Sequence, residues 1–182
     1  MESSALAEDG IYQERHIMDS LRVHGKNDRI NSDERLIELL SEFSIISWDL
    51  VCFSETRLQA RDDIIDGNHR LISSNDQNAR SPATGIALLL HRRWAGQVKK
   101  KICLHDRVMA IDFKLSHRMV RVLAVYLPNA WNYDLNYFHE IFNDIERLSM
   151  EAMDKGYALN IAGDFNLSLQ RLDRGGIMAE FY

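Results

Sequence analysis

The chain has 182 residues, of which 46% are hydrophobic and 27% are charged, and its formal net charge at pH 7 is -5. This composition is that of a soluble globular protein with one domain, and it excludes a disordered or collagen-like chain. The negative net charge also excludes binding of nucleic acid through overall positive charge, so such binding would require a local basic surface.

The N-terminal residues indicate where the domain begins, and the cysteines indicate the cellular compartment. Residues 1–16 are polar and aperiodic, and we expect a flexible leader there, followed by one domain over residues 17–182. Cys52 and Cys103 lie in apolar stretches without a metal-ligand neighbour, which predicts two buried free thiols. No run of about 18 apolar residues occurs. We therefore expect a monomer in the nucleus or cytoplasm, without membrane contact.

The first predicted elements are a strand, a loop and a helix. IMDSLRV at 17–23 is a strand candidate, and the polar segment at 24–32 is typical of a loop. In SDERLIELLSEF, residues 32–43, apolar residues recur at i, i+3, i+4 and i+7, which predicts an amphipathic helix capped by Asn31 or Ser32. WDLVCFSE at 48–55 is a continuous apolar run, typical of a strand covered on both faces.

Further strands and a second helix follow in alternation. Three strand candidates are GIALLLH at 85–91, VMAIDFK at 108–114 and MVRVLAVY at 119–126, of which the last two form a hairpin. Asp134 is the expected cap of a helix with an apolar stripe formed by Phe138, Ile141, Phe142, Ile145 and Leu148. YALNIAG at 157–163 predicts a last strand. The chain is therefore mixed α/β, without an internal repeat.

Polar residues stand where three of these strands end: Glu55, Tyr126, and Asp164 with Asn166. A single such residue is more often a solvated loop residue than a catalyst. Because ligand sites assemble at the ends of buried strands, the three together indicate a functional site. The position of a carboxylate and an amide one residue apart, in IAGDFN at 161–166, is the most informative part of this pattern.

These residue types suit metal-assisted hydrolysis of a phosphodiester. Glu55 is a suitable anchor for Mg²⁺ or Mn²⁺, which take oxygen ligands and keep several waters. Asp164 can orient or deprotonate the attacking water, and the amide of Asn166 can donate to a phosphate oxygen. Tyr126 offers an uncharged hydroxyl. If strand geometry persists through the motif, Asp164 and Asn166 face one side and Phe165 packs on the other.

Four segments in this order carry a resemblance to a known family: SETR at 54–57, GIALLLHRRW at 85–94, VYLPN at 125–129 and IAGDFN at 161–166. The chain resembles the endonuclease/exonuclease/phosphatase family, which includes DNase I. Residues 32–58 are most similar to the endonuclease domain of non-LTR retrotransposons. The resemblance covers roughly residues 17–172 and implies a two-sheet α/β sandwich of DNase I-like fold, incomplete at the C-terminus.

The resemblance also implies roles for single residues. Glu55 matches the metal-binding Glu of the family, Tyr126 its active-site Tyr, and Asp164 with Asn166 the Asp and Asn of GDFN. The family's first strand usually ends with an Asn, whereas LRVHG puts Arg22 at that position. Asn27 would be the alternative only if the loop were shifted.

A second departure concerns the C-terminal motifs of the family, an Asp and a Ser-Asp-His segment. Neither occurs before Tyr182, and all seven His precede the GDFN motif. Loss of a general base and its partner costs about 10² to 10⁴ in rate per group. We therefore expect impaired nucleic-acid hydrolysis. The alternatives are an inactive remnant that only binds, and a phosphodiesterase or phosphatase acting on a small phosphorylated substrate.

Basic residues are the candidates for contact with nucleic acid, most simply DNA. Arg92 and Arg93 stand in HRRW, Arg57 follows the SET segment, and VKKK at 98–101 adds three lysines. A solvated basic turn between strands explains HRRW and VKKK equally well. The sequence does not distinguish DNA from RNA.

Overall fold

The computed structural model describes residues 23–27, 32–74, 85–115, 117–128 and 135–166. Within these ranges the chain forms nine strands and three helices. The strands are β1 (Val23–Asn27), β2 (Leu50–Ser54), β3 (Arg61–Ile65), β4 (His69–Ser74), β5 (Ile86–Leu90), β6 (Val98–His105), β7 (Val108–Leu115), β8 (Arg118–Tyr126) and β9 (Ala158–Asp164). The helices are α1 (Asp33–Phe43), α2 (Arg92–Ala95) and α3 (Leu135–Asp154).

The strands form two mixed sheets. The first has the order β1-β2-β5-β4-β3, with β1 parallel to β2 and the other pairs antiparallel. The second has the order β6-β7-β8-β9, with β9 parallel to β8 and the other pairs antiparallel. In both sheets, therefore, a parallel edge strand lies beside a central strand whose carboxyl end carries a candidate site residue.

The two sheets pack face to face through apolar side chains that alternate along each strand. Leu50, Cys52 and Leu88 of the first sheet contact the layer formed by Met109, Ile111 and Val122 of the second. The intervening residues of each strand point outward. The Cys52 thiol lies 3.7 Å from the Ala162 carbonyl oxygen, which places β9 directly over β2.

Helices cover the outer face of each sheet. Leu36, Leu39 and Phe43 of α1 pack on Val51 and Leu89 of the first sheet, and the apolar side of α3 packs on β7 and β8. The Ser32 hydroxyl accepts the N–H of Arg35 at 3.2 Å and so caps α1. Because helices cover both outer faces, β2, β5 and β7 are buried almost throughout. No described helix is long and apolar enough to cross a membrane.

The structure confirms the two-sheet sandwich and both predicted helices, and it corrects several details. The first described strand begins at Val23, so the loop expected at 24–27 is wrong. Three polar strands, β3, β4 and β6, were not expected. Cys103 is exposed on β6 rather than buried, because β6 is an edge strand. The leader expected at 1–16 lies outside the described residues.

Candidate active site

One end of the sandwich contains the candidate residues Glu55, Tyr126, Asp164 and Asn166. We call it the rim: the carboxyl ends of β2, β8 and β9, with the residues that follow them as far as Arg57, Leu127 and Asn166. Tyr126 and Asp164 are register partners in the parallel β8–β9 pair. The Tyr126 hydroxyl donates to Oε1 of Glu55 at 2.5 Å, so the rim joins both sheets.

A tight turn after β2 sets the position of Glu55. Glu55 and Arg57 have φ of 57° and 54°, in the left-handed region that non-glycine residues rarely occupy. Thr56 between them is fully buried, and its N–H donates to the Gly85 carbonyl at 3.2 Å. A Cβ on Gly85 would lie 2.9 Å from Oγ1 of Thr56, so this packing requires glycine there. The buried Thr56 thus holds the turn that presents Glu55.

Tyr126 stays protonated in this setting. Its side chain is mostly buried. Burial, followed by the hydrogen bond to the Glu55 carboxylate, raises the pKa of Tyr126 well above its usual value. The group at the rim is therefore a neutral phenol that donates a hydrogen bond to an acceptor oxygen, not a phenolate.

The GDFN segment turns sharply instead of continuing as a strand. β9 ends at Asp164, and Asn166 has φ of 48°. The Asn166 N–H donates to Oδ1 of Asp164 at 2.9 Å, and its amide nitrogen donates to the Leu127 carbonyl at 2.6 Å. The expectation that strand geometry continues is therefore wrong, and Phe165 is exposed rather than packed. The turn itself keeps Asp164 and Asn166 together.

Gly163 has a packing role in the same segment. Its φ is 148°, and a Cβ there would lie 1.7 Å from the Val125 carbonyl oxygen. No side chain fits in this space. The close approach of β9 to β8 therefore depends on glycine, and it places Asp164 beside Tyr126.

The carboxylate oxygens of the rim suit a hard cation that takes most of its ligands from water. Glu55 uses Oε1 for Tyr126, and Asp164 uses Oδ1 for the Asn166 backbone. The described ranges contain no group of three His, Cys, Asp or Glu residues arranged to hold a metal. Mg²⁺ can be held by one or two carboxylates with waters completing its shell. Glu55 therefore suits a weakly held Mg²⁺ or Mn²⁺, and a zinc site is not formed by these residues.

The β6–β7 turn reaches the same rim, and sequence reasoning did not find it. Arg107 is buried there, and its carbonyl accepts the Tyr126 N–H at 2.9 Å. His105 precedes it, with Nδ1 accepting the Arg107 N–H at 3.1 Å and Nε2 lying 3.3 Å from Oδ2 of Asp144. Both ring nitrogens of His105 are engaged, so it is not a base for the rim. An LHDR turn shows no pattern that would indicate these contacts.

The three arginines expected to contact nucleic acid lie at two opposite ends of the sandwich. Arg57 is exposed at the rim. Arg92 and Arg93 begin α2, which follows the end of β5 that pairs with the start of β2, so they lie at the opposite end of the sandwich from Glu55. Arg93 also forms an ion pair with Asp49 and donates to the Trp48 carbonyl at 3.2 Å. The structure does not bring Arg92 and Arg93 to the rim.

The end of β1 also belongs beside the rim. Asn27 is the last residue of β1 and the register partner of Ser54, which precedes Glu55. β1 therefore ends in an Asn beside the strand that leads to Glu55. Arg22, expected there from the sequence, lies outside the described residues.

Comparison with known proteins gives structural neighbours only. No family model matches the chain, and no curated protein matches it. The 3′ phosphatase NExo from Neisseria, bound to a product DNA hairpin, aligns with a TM-score of 0.59 at 17% identity, over 81% of this chain and 58% of NExo. The chain has the DNase I-like fold.

Two other neighbours share this fold. Truncated TDP2 from Caenorhabditis elegans aligns with a TM-score of 0.58 at 13% identity, over 83% of this chain and 66% of TDP2. The human Nocturnin catalytic domain, with a bound sulfate anion, aligns with a TM-score of 0.57 at 14% identity, over 81% of this chain and 65% of that domain. The chain thus spans less than two thirds of each neighbour.

Proposed function

We propose that the rim hydrolyses phosphodiester bonds of nucleic acid, with DNA as the substrate and Mg²⁺ or Mn²⁺ as the cofactor. The observation that carries the proposal is the contact across the two sheets: the Tyr126 hydroxyl lies 2.5 Å from the Glu55 carboxylate, and Asp164 is the register partner of Tyr126. Two carboxylates and a phenol hydroxyl are thus brought to one small region, as attack on a phosphate requires.

Each residue of the rim has a distinct role in this proposal. When bound, Mg²⁺ offsets charge on the scissile phosphate and steadies the leaving oxygen. Glu55 would hold the ion through its carboxylate. Asp164, whose Oδ1 is fixed by the Asn166 backbone N–H, presents its carboxylate to the attacking water. Tyr126, kept protonated, donates its hydroxyl to a phosphate oxygen once the bond to Glu55 opens.

Asn166 stabilises the turn and also binds the substrate. The side-chain amide of Asn166 donates one hydrogen to the Leu127 carbonyl, and this bond orients the amide. The amide side chain carries a second hydrogen, and it is exposed at the rim. A neutral donor here can bind a phosphate oxygen without repelling the carboxylate of Asp164.

Nucleic acid is the substrate that the surroundings favour. Arg57 is exposed two residues after Glu55 and can contact a backbone phosphate. The similarity of residues 32–58 to retrotransposon endonucleases favours an endonuclease of that origin. The fold neighbours include a phosphatase bound to a DNA hairpin. His105 is committed to Asp144 and Arg107, so we expect slow turnover by this chain.

The test is Mg²⁺-dependent nicking of supercoiled plasmid DNA by the 182-residue chain. We expect slow nicking that chelation of Mg²⁺ abolishes and that Asp164→Asn lowers by about 10² or more. Asp154→Asn is the matched control, because Asp154 is exposed at the end of α3, and it should leave the rate unchanged.

Three outcomes would contradict the proposal. Nicking that survives Asp164→Asn would place the chemistry elsewhere. DNA binding without any nicking would favour a binding module, and cleavage of a small phosphate ester without nicking would favour a small substrate.

A further inference from the structure

A buried arginine lies under the rim. Arg107 connects the β6–β7 turn to β7 and is 2% exposed. An arginine this deeply buried requires partners for its guanidinium, because an unpaired buried charge is strongly unfavourable. Its contacts among the described residues include Tyr126 and, on α3, Tyr137.

The contacts of Arg107 converge on Tyr126. The Arg107 guanidinium carbon lies 4.6 Å from the centre of the Tyr126 ring, within the range of a cation–π contact. Nη1 donates to the Tyr126 carbonyl at 3.4 Å, and the Arg107 carbonyl accepts the Tyr126 N–H at 2.9 Å. Backbone and side chain of Arg107 therefore both hold the residue whose hydroxyl meets Glu55.

Helix α3 orients the guanidinium from the other side. Nε of Arg107 donates to the Tyr137 hydroxyl at 3.1 Å, and Tyr137 lies in the first turn of α3. Tyr137 is itself 8% exposed, so the contact is sheltered from water. A chain of contacts thus runs from Tyr137 through Arg107 to the ring of Tyr126 and from its hydroxyl to Glu55.

We propose that Arg107, oriented by Tyr137, is a positioning residue that fixes the ring of Tyr126 so that its hydroxyl stays directed at Glu55. Tyr137, in the first turn of α3, thereby connects that end of the helix to the geometry of the rim. The kinetic part of this inference rests on the proposed function, whereas the placement of the Tyr126 hydroxyl does not.

The chain offers a comparison for a purely structural arginine. Arg121 is also fully buried, pairs with Asp112, and lies 5.9 Å from the ring of Tyr157 at the other end of α3. Like Arg107, it contacts a tyrosine ring and a backbone carbonyl, but far from the rim. A readout that responds to Arg107 and not to Arg121 therefore reports positioning of Tyr126 and not loss of fold.

The experiment is NMR of protein labelled with ¹³C at Cζ of tyrosine, at one neutral pH. Tyr126→Phe assigns the resonance, and Glu55→Ala shows its position when the carboxylate partner is gone. We expect Tyr137→Phe and Arg107→Lys to move the Tyr126 resonance toward the Glu55→Ala position. Tyr157→Phe and Arg121→Lys should leave it in place.

Each outcome decides the inference. A Tyr126 resonance that is unmoved in folded Tyr137→Phe and Arg107→Lys would overturn it, as would equal movement in the Arg121 and Tyr157 controls. Tyr137→Phe removes only one hydroxyl, so it decides the matter if Arg107→Lys does not fold.

Nicking assays on the same variants add a second readout. A misplaced Tyr126 hydroxyl should lower kcat about tenfold and leave KM unchanged, because positioning acts on the reacting groups. A fall in stability alone would not give this split, and Arg121→Lys should not give it. If no variant nicks DNA, the proposed function fails while the NMR result still decides the role of Arg107.

Discussion

The rim depends on unusual backbone conformations at individual residues. Glu55, Arg57 and Asn166 all have positive φ, and Gly163 has a φ that side chains rarely tolerate. Such residues cost about 1–3 kcal/mol each and persist where the surrounding structure holds them. Here the buried Thr56 and the carbonyls of Gly85 and Leu127 do so. Strain at three neighbouring points indicates a region organised for function.

Removal of the Tyr126 hydroxyl should separate catalysis from stability. The ring of Tyr126 packs in the core between the sheets, and Phe preserves that packing. We expect Tyr126→Phe to change the free energy of unfolding by only about 1 kcal/mol and to lower the nicking rate about 10²-fold. Denaturant unfolding and plasmid nicking measure the two effects. A rate equal to that of the wild type would show that the hydroxyl takes no part.

A β-carbon at Gly163 should destabilise the chain. In Gly163→Ala the new Cβ would meet the Val125 carbonyl oxygen, so β9 must move from β8. We expect a loss of about 3 kcal/mol or more. Gly67→Ala is the control, because Gly67 has φ of 75° but no atom within 4 Å of its Cβ position, and it should lose only about 1–2 kcal/mol. Equal losses in urea unfolding would contradict the packing role of Gly163.

The chemistry of the site could be anticipated from the sequence, but its geometry could not. Glu55, Tyr126 and Asp164 stand at the ends of apolar stretches, and the limits of those stretches are enough to place them at strand ends. The turn at Asn166 depends on a carbonyl 39 residues away in the chain, and Arg107 depends on a tyrosine 30 residues away. Such contacts leave no local pattern.

At the scale of elements, strands made of apolar runs were predictable, whereas the polar edge strands and the interior strand β4 were not. β2 and β5 are almost continuous apolar runs because both their faces are covered. β8 is buried from Val120 to Tyr126, although Arg121 interrupts its apolar sequence. β3 and β6 lie at sheet edges and carry charged side chains, as edge strands do to avoid pairing with other molecules. Lys100 and Lys101 of β6 contact Glu151 and Asp62 at 3.7 Å each, so the VKKK run is largely paired within the protein.

Arg121 of β8 forms a buried ion pair with Asp112 of the neighbouring strand β7 and also bonds to helix α3. Arg121 is fully buried, donates to Asp112 at 2.6 Å and to the Leu148 carbonyl at 2.9 Å. We expect Arg121→Met to lower the free energy of unfolding by about 3–5 kcal/mol, because Asp112 is left buried and unpaired. The double variant Arg121→Met/Asp112→Leu should recover much of that loss. Urea unfolding of both variants provides the test, and a double variant less stable than the single one would contradict it.

At the scale of the whole molecule, the core between the sheets excludes water, and Cys52 reports on it. Burial raises the pKa of the Cys52 thiol from its ordinary 9.0 to about 12. Above pH 9 the unfolded thiol ionises while the folded one keeps its proton, so stability falls as pH rises from about 9 to 12. Unfolding free energies across this range should fall less steeply in Cys52→Val. Identical slopes would show that Cys52 is not sealed in the core.

The central claim is that Glu55 makes the rim a metal-dependent phosphodiesterase. The most direct test is the rate of plasmid nicking against Mg²⁺ concentration, for the wild type and for Glu55→Ala, with Glu140→Ala on the exposed side of α3 as control. We expect weak, saturable dependence on Mg²⁺ in the wild type and in Glu140→Ala, because one carboxylate and waters hold the ion. In Glu55→Ala the rate should fall to background at every concentration. Unchanged Mg²⁺ dependence in Glu55→Ala would contradict the claim.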